Sequence, residues 1–300
     1  MNIGLIGLGK MGANLALQMK DKGLDPIVYN RSSEKTMSFI NNGFKGALSL
    51  EALVEQLEKP RVIWLMVPSG ETVDLLIDDL MLLLDSEDLV IDGGNSNYKD
   101  TIRRAEKLTA EGIKFMDIGT SGGTGGARNG ACMMVGGSVE DYSAMEPVLS
   151  GLCVPGGLGH MGKSGSGHFV KMIHNGIEYG MMQAIAEGFD ILKASSFDLD
   201  LAGISEVWGN GSIVASYLMD MTTSALKKNP ELKGIADQVD SSGEGLWSLE
   251  AALEFGVPAY VLSAALFKRY ESKQEERYTN KLLAAMRNEF GGHAIHREGE

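Results

Sequence analysis

The stretch Asn2-Ile3-Gly4-Leu5-Ile6-Gly7-Leu8-Gly9-Lys10-Met11-Gly12 decides how the rest of the chain is read. Residues 2–6 form an apolar run of strand length, and an amphipathic stretch over 11–22 follows the glycines. A GxGxxG turn that closes a strand and opens a helix lets backbone approach a pyrophosphate, whose charge the helix N-terminus favours. Alone the pattern matches many turns, but here the strand before it, the helix after it and a second strand ending near Asn30 agree. Gly7, Leu8, Gly9, Met11 and Gly12 are therefore candidate dinucleotide contacts. The end of the second strand selects the cofactor. An NAD site usually offers a carboxylate to the ribose there, whereas this chain reads Tyr29-Asn30-Arg31-Ser32. Arg31 can pair with a 2′-phosphate and stack on adenine, and Ser32 can donate a hydrogen bond. With Asn30 they favour NADP, with NAD possible; the competing reading is a solvated Arg31 neutralised by Glu34.

The alternation continues outward. Strands are expected at 27–30, 62–67, 89–92, 115–118 and 132–135, and helices at 11–22, 33–42, 71–84 and 99–111, with Ser32, Gly70 and Asn97 or Tyr98 near the starts of the last three. Such a pattern means a mostly parallel sheet covered by helices. From about Lys163 strand-like runs give way to helical periods over 167–195, 212–228, 245–255 and 258–290. The expectation is an α/β chain: an N-terminal, Rossmann-type doubly wound domain over residues 1–162, then an all-helical C-terminal domain over 163–300. The boundary is placed in the glycine-rich turn 155–163, and the tail 291–300, taken by itself, reads as a frayed end.

Composition narrows the function classes. Three hundred residues, 44% of them hydrophobic, suffice for two ordinary cores. No apolar run approaches the ~20 residues of a membrane span, and Gly4, Gly7 and Gly9 interrupt the N-terminal apolar residues where a secretory signal would need continuity. A cytoplasmic address without membrane contact is expected. Cys132 and Cys153 lie in no CxxC or Cys/His cluster, so they read as packing residues of a reduced compartment and no metal is expected. A net charge of -13 argues against nucleic acid as a partner. Anionic ligands must then be met by helix N-termini and a few placed cations.

Three further segments fall at the ends of expected strands, where ligands bind in doubly wound sheets: Val67-Pro-Ser-Gly70, Asp92-Gly-Gly-Asn-Ser96 and Gly119-Thr-Ser-Gly-Gly-Thr-Gly-Gly-Ala127. Val67 and Asn95 on these loops are candidate cofactor contacts. Beyond them runs Gly165-Ser-Gly-His-Phe-Val-Lys-Met-Ile-His-Asn-Gly-Ile-Glu-Tyr179. On a helix Lys171, His174 and Glu178 share one face. A base, a polar orienter and an acid beside a hydride acceptor point to an oxidoreductase that moves protons both ways. Any one of the three alone would read as a solvated side chain on a partly buried helix.

The order of the motifs GLGxMGxNLA, NRS, IDGGNS, SGGxxGAR, GHFVKMIHNGIEYG and a terminal FGGH resembles the decarboxylating 6-phosphogluconate dehydrogenases of the pentose phosphate pathway, in their short form. The resemblance runs from Met1 to His293. It implies oxidation and decarboxylation of 6-phospho-D-gluconate to D-ribulose 5-phosphate, with Lys171 as the base and Glu178 as the acid. Asn95, Ser121, Gly122, Gly123, His174 and Asn175 would hold the carboxylate and hydroxyls, and Tyr179 with Arg269 the phosphate. Arg287 and His293 keep the family's spacing for a tail that completes a neighbouring subunit's site, which implies a homodimer or homotetramer with exchanged tails. Two departures stand out. Ser242 and Glu244 precede Trp247 where the long form has Lys and Thr, which puts phosphate contacts there in question, and Pro68 replaces a lysine.

Two rival readings share parts of this evidence. A β-hydroxyacid dehydrogenase acting on a smaller acid without decarboxylation would keep the cofactor half and the lysine; Glu178, Tyr179 and the DGGNS loop argue against it. A non-catalytic dinucleotide-binding redox sensor would keep the 7–12 turn and have no need of Lys171.

Overall fold

The structure, a computed structural model, describes residues 2–296; Met1 and the last residues of the expected tail, 297–300, lie outside the described residues. Among the described residues the strands are β1 (Ile3–Ile6), β2 (Ile27–Tyr29), β3 (Lys45–Gly46), β4 (Val62–Leu65), β5 (Leu89–Asp92), β6 (Lys114–Ser121), β7 (Ala131–Gly136) and β8 (Cys153–Gly162). They form one sheet in the order β3-β2-β1-β4-β5-β6-β7-β8. Neighbours run parallel throughout except β6 and β7, which are antiparallel. Helices α1 (Lys10–Asp21), α2 (Ser33–Asn41), α3 (Leu50–Glu55), α4 (Glu71–Met81), α5 (Tyr98–Ala110), α6 (Gly123–Asn129) and α7 (Val139–Leu152) connect them.

Strands β1, β4 and β5 are buried at every position, the pattern of strands covered on both faces. Their period of two divides the side chains between two cores. Leu5, Trp64 and Ile91 join Leu15, Ala16 and Met19 of α1. Ile63, Leu65 and Val90 join Val73, Ile77 and Leu80 of α4 with Leu108 of α5. The chain leaves β1 towards β2 and β3, then returns to β4 on the other side of β1. The reversal puts the loops after β1, β4 and β5 around a switch-point crevice, where doubly wound folds bind ligands.

Then come α8 (Ser166–Ala194), α9 (Leu201–Gly209), α10 (Tyr217–Lys228), α11 (Gly243–Glu254), α12 (Tyr260–Glu271) and α13 (Tyr278–Gly291), so the doubly wound and helical classes expected from the sequence are both present. By packing, the chain forms two compact units. One runs to Ile177 and takes in Gly243–Ala251; the other is Glu178–Ser242 with the chain from Ala252 onward. The second unit has a small core of Phe189, Met219 and Leu226. It leaves Phe197, Tyr260, Phe267 and Tyr278 largely exposed. No helix among the described residues is long and apolar enough to cross a membrane.

Several elements differ from expectation for identifiable reasons. The expected turn at 155–163 lies largely in β8, which pairs with β7 through Met133 and Leu158. Its glycines serve close approach: a Cβ on Gly157 would lie 2.9 Å from the Ala131 carbonyl oxygen. Residues 123–129, read as loop because of their glycines, form α6, capped by Gly122 in the left-handed region. The helical period expected over 258–290 breaks between α12 and α13, where Ser272-Lys-Gln-Glu-Glu-Arg277 offers no apolar side chain to a core. The helix expected from 212 starts at Tyr217, where Ser216 accepts a hydrogen bond from the Met219 amide. Elements β3, α3, α7 and α9 were not anticipated.

The join between the sheet and α8 is tight. Asp117 of β6, fully buried, accepts hydrogen bonds from the Gly165 amide (2.6 Å) and the His168 amide (2.8 Å). A Cβ on Gly136 would lie 2.4 Å from Asp117 Oδ1. That carboxylate cannot retreat without stranding two buried donors. Gly136→Ala is expected to lower unfolding free energy by roughly 1–3 kcal/mol through overpacking, read from the midpoint of urea unfolding at unchanged slope; an unchanged midpoint would show that the join is looser than described.

Candidate active site and dinucleotide cradle

The three glycines after β1 have separate duties. Gly7 adopts φ +104°, and a Cβ there would lie 2.4 Å from the Met66 carbonyl oxygen. Gly12 packs so closely on the turn that its Cβ would meet Gly7 O at 2.0 Å. Gly9, the N-cap of α1, has nothing within 4 Å of where a Cβ would stand. One glycine bends the chain, one seats the helix and one leaves open space at the helix N-terminus, which fits a dinucleotide pyrophosphate.

Leu8 keeps its side chain in the core and donates its amide to Asn30 Oδ1 at 2.9 Å. Asn30 in turn donates its own amide to Thr36 Oγ1 (3.0 Å) and its Nδ2 to Ser32 O (3.2 Å). Asn30 therefore ties the glycine turn to the end of β2, a role its position in the sequence did not suggest. Arg31 and Ser32 are exposed. Among the described residues Arg31 forms no ion pair, so Glu34 does not neutralise it, and Ser32 caps α2 without using its hydroxyl.

The loops after β4 and β5 share one support. Arg104 of α5 is 1% exposed. It donates to Gly70 O (3.0 Å), to Asp74 through Nε and Nη2 (2.9 and 3.1 Å), and to Ser96 Oγ (3.3 Å). Ser96 donates to buried Asp92 at 2.7 Å, and Asp92 accepts the Gly94 amide at 3.0 Å. The hydrogen bond from Arg104 holds the Asp74 carboxyl below its usual range. Val67, half-buried, and Asn95, exposed, stand on the two loops so fixed.

The first turns of α8 lie directly on β6 and β7. A Cβ on Gly119 would stand 2.3 Å from Lys171 Cβ, and one on Gly167 2.5 Å from Met134 O. Burial pushes the Asp117 carboxyl up, against the opposing effect of His168 and the two amides it accepts. His168, also buried, places Nδ1 2.8 Å from Thr101 Oγ1. Lys171, 9% exposed, donates Nζ to Asn175 Oδ1 at 2.7 Å and lies 3.4 Å from His174 Nδ1. His174 Nδ1 is 3.0 Å from Asn175 Oδ1, and its Nε2 is 3.0 Å from Ser121 Oγ. Asn175 Nδ2 donates to Glu244 Oε1 at 3.1 Å. Ser121, Lys171, His174 and Asn175 are thus brought together, and Glu244, singled out in the sequence only as a departure, joins them. Gly122 and Gly123, at the start of α6, have φ +111° and +61°.

Glu178, Tyr179, Arg269, Arg287 and His293 fall in the second unit. There the Tyr179 hydroxyl accepts the Ser242 amide at 3.0 Å and lies 3.1 Å from Ser242 Oγ. The Arg269 guanidinium stacks on the Tyr179 ring at 3.4 Å and donates to Asp240 O at 2.9 Å. A guanidinium held flat on an aromatic ring keeps donor edges for an anion. Arg287 is exposed on α13, and His293 lies beyond that helix, its carbonyl accepting from Asn288 Nδ2 at 2.9 Å. Among the described residues no group of three His, Cys, Asp or Glu is placed to hold a metal.

Two family models match the chain, one over each part. Residues 2–154 match the NAD binding domain of 6-phosphogluconate dehydrogenase, and residues 167–289 match the 6-phosphogluconate dehydrogenase C-terminal domain. The Bacillus subtilis protein YqeC is 44% identical over 99% of this chain and 100% of its own length. The NAD(+)-dependent, decarboxylating 6-phosphogluconate dehydrogenase of Haloferax volcanii is 38% identical over 100% of both chains. The 6-phosphogluconate dehydrogenase of Plasmodium falciparum, solved in its apo form and in complex with its cofactor NADP+ and its substrate 6-phosphogluconate, superposes with a TM-score of 0.84. It is 32% identical, with 100% of this chain and 67% of that one covered.

The glycine geometry separates binding from folding. Gly9→Ala is expected to leave the thermal midpoint of the free protein unchanged while weakening NAD(P) binding at least about tenfold, because the methyl enters the space left for the ligand. Gly12→Ala, which must displace backbone, is expected to lower both. Isothermal titration and thermal unfolding check the pair, and equal effects of the two substitutions would contradict the division of duties.

Proposed function

The chain belongs to the 6-phosphogluconate dehydrogenase family of NAD(P)-dependent oxidoreductases, and we propose that it converts 6-phospho-D-gluconate to D-ribulose 5-phosphate and carbon dioxide while reducing NADP in preference to NAD. The observation that carries this reading is the cluster of Ser121, Lys171, His174 and Asn175 around one nearly buried amine, on a helix that bears Glu178 seven residues further on. The glycine turn and Arg31 hold the dinucleotide, which when bound supplies the hydride acceptor.

Lys171 takes the proton of the C3 hydroxyl as that carbon is oxidised, giving a ketone β to the carboxylate. Such a ketone accepts the electrons of the breaking carbon–carbon bond, and the protonated Lys171 steadies the charge that develops on its oxygen. Carbon dioxide leaves and an enediol remains. Glu178 delivers a proton to the carbon that carried the carboxylate, and the ketose forms. Asn95, Ser121, Gly122, Gly123, His174 and Asn175 hold the carboxylate and hydroxyls, and Tyr179 and Arg269 hold the phosphate. The stacked Arg269 supports this, since its donors are oriented without a carboxylate partner.

The same proposal makes the protein cytoplasmic and a homodimer or homotetramer, with Arg287 and His293 completing a neighbouring subunit's site. The exposed Phe197, Tyr260, Phe267 and Tyr278 of the second unit support a further copy covering them. A domain boundary between residues 162 and 163 is supported by the end of β8 at Gly162 and the start of α8 at Ser166.

Purified protein with 6-phosphogluconate is expected to yield reduced cofactor and trapped carbon dioxide in equal amounts, and Lys171→Ala to lower kcat by at least about 1000-fold, within the range for a group acting as both base and acid. Reduction without gas would indicate a non-decarboxylating dehydrogenase, and binding without reduction a sensor. Arg31→Ala is expected to raise the KM for NADP about tenfold or more and that for NAD little, since a lost charged hydrogen bond costs about 1.5–3 kcal/mol; parallel changes in both would remove the basis for NADP preference.

A further inference from the structure

Glu244 is 2% exposed, yet it carries a carboxylate. Burying such a group is unfavourable unless something engages it. It stands in the first turn of α11, where the helix N-terminus favours negative charge. One turn on, Ser248 donates to Met172 O at 3.0 Å and locks α11 against α8. Among the described residues the one side-chain partner of Glu244 is Asn175 Nδ2 at 3.1 Å, and its Oε2 has none. A neutral side chain would fill the space without that cost, so packing does not account for the carboxylate.

We infer that Glu244 is a positioning residue for Lys171, acting by setting the direction of the hydrogen bonds that run from it through Asn175 and His174 to Ser121. The inference rests on the role proposed above for Lys171. A carboxylate only accepts, and an amine or ammonium donates to Asn175. The Asn175 amide therefore has one workable orientation: Nδ2 towards Glu244 and Oδ1 towards Lys171. Nδ1 of His174 lies 3.0 Å from that acceptor and farther, 3.4 Å, from the Lys171 amine, so the shorter contact favours a neutral His174 with its proton on Nδ1. Nε2 is then an acceptor, and Ser121 Oγ donates to it across 3.0 Å. Each member's role follows from Glu244 Oε1 accepting from Asn175 Nδ2. Remove the carboxylate, and the amide can turn, presenting Nδ2 to Lys171 and repelling the amine it should hold.

Three measurements test this. Glu244→Ala is expected to lower kcat with 6-phosphogluconate about 100-fold, the scale of a misplaced catalytic group, with the cofactor KM unchanged, while Glu244→Gln, whose carbonyl can still accept from Asn175, recovers to within about tenfold of wild type. In an Asn175→Ala background the loss from Glu244→Ala should vanish, because the route between the two residues is gone. Nitrogen-15 spectra of histidine-labelled protein, assigned with His174→Asn, should show His174 protonated on Nδ1 in the wild type and shifted towards Nε2 in Glu244→Ala. Wild-type kcat in Glu244→Ala, an unchanged His174 tautomer, or a loss that persists without Asn175 would each overturn the inference. Should Glu244→Ala not fold, the cycle and the spectra run on Glu244→Leu, which fills the same space and accepts nothing from Asn175, decide it. If the wild type does not turn over 6-phosphogluconate, the proposed reaction fails, and the tautomer still reports on Glu244.

Discussion

The buried Asp117 carboxylate is the constraint on which the arrangement of the sheet-containing unit turns. It lies on β6 and accepts the amides of Gly165 and His168, the first donors of the helix that carries Lys171. Helix N-termini leave such donors unsatisfied, and a side chain from the sheet supplies the acceptor. The register of α8 on the sheet is thereby fixed, and so is the reach of Lys171. Glycines at 119, 136 and 167 make the approach possible, since a methyl at any of them would collide with backbone or with the anchored groups. A pinned carboxylate and three missing side chains together seat the first turns of α8, and with them Lys171, on β6 and β7.

A second buried charge governs the cofactor side. Arg104 bonds the loop after β4 at Gly70 and, through Ser96 and Asp92, the loop after β5. Loops are ordinarily the mobile part of a domain. Here their backbones are tied to one side chain that has no room to move, so the crevice keeps its shape before any ligand arrives, and binding need not spend its free energy on ordering them.

Much of this was legible in the sequence because it rests on local rules. The Gly7, Gly9 and Gly12 spacing predicts the turn, and three- and seven-residue intervals predict which side chains share a face of α8. The illegible parts depend on tertiary pairing. Cys153–Gly162 is rich in glycine and reads as a turn, yet β7 offers it a strand partner that only the fold reveals. Asp117 has no motif around it, and its importance comes from residues 48 and 51 positions away. Glu244 looks like a solvated acid at a helix start, and only its burial shows otherwise. Asn30 sits where a cofactor contact is expected, but its side chain is committed to the glycine turn.

The charge distribution bears on how an acidic chain handles anionic ligands. With 40 acidic and 27 basic side chains, most of the described arginines have a carboxylate to pair with. Arg61, Arg103, Arg104, Arg128 and Arg277 each have one. Among the described residues Arg31, Arg269 and Arg287 do not. These three are the arginines proposed above to meet phosphate groups: the 2′-phosphate of NADP, the substrate phosphate, and a neighbouring subunit's substrate. A guanidinium already paired would have to give up a carboxylate before it could take a phosphate, and the exchange would cancel most of the gain. An unpaired one, surrounded by a field that attracts cations and repels anions, keeps its full differential for an anion that is brought to it by shape. The overall negative charge then lowers non-specific anion binding, and in the proposed site specificity falls to the few arginines left without carboxylate partners.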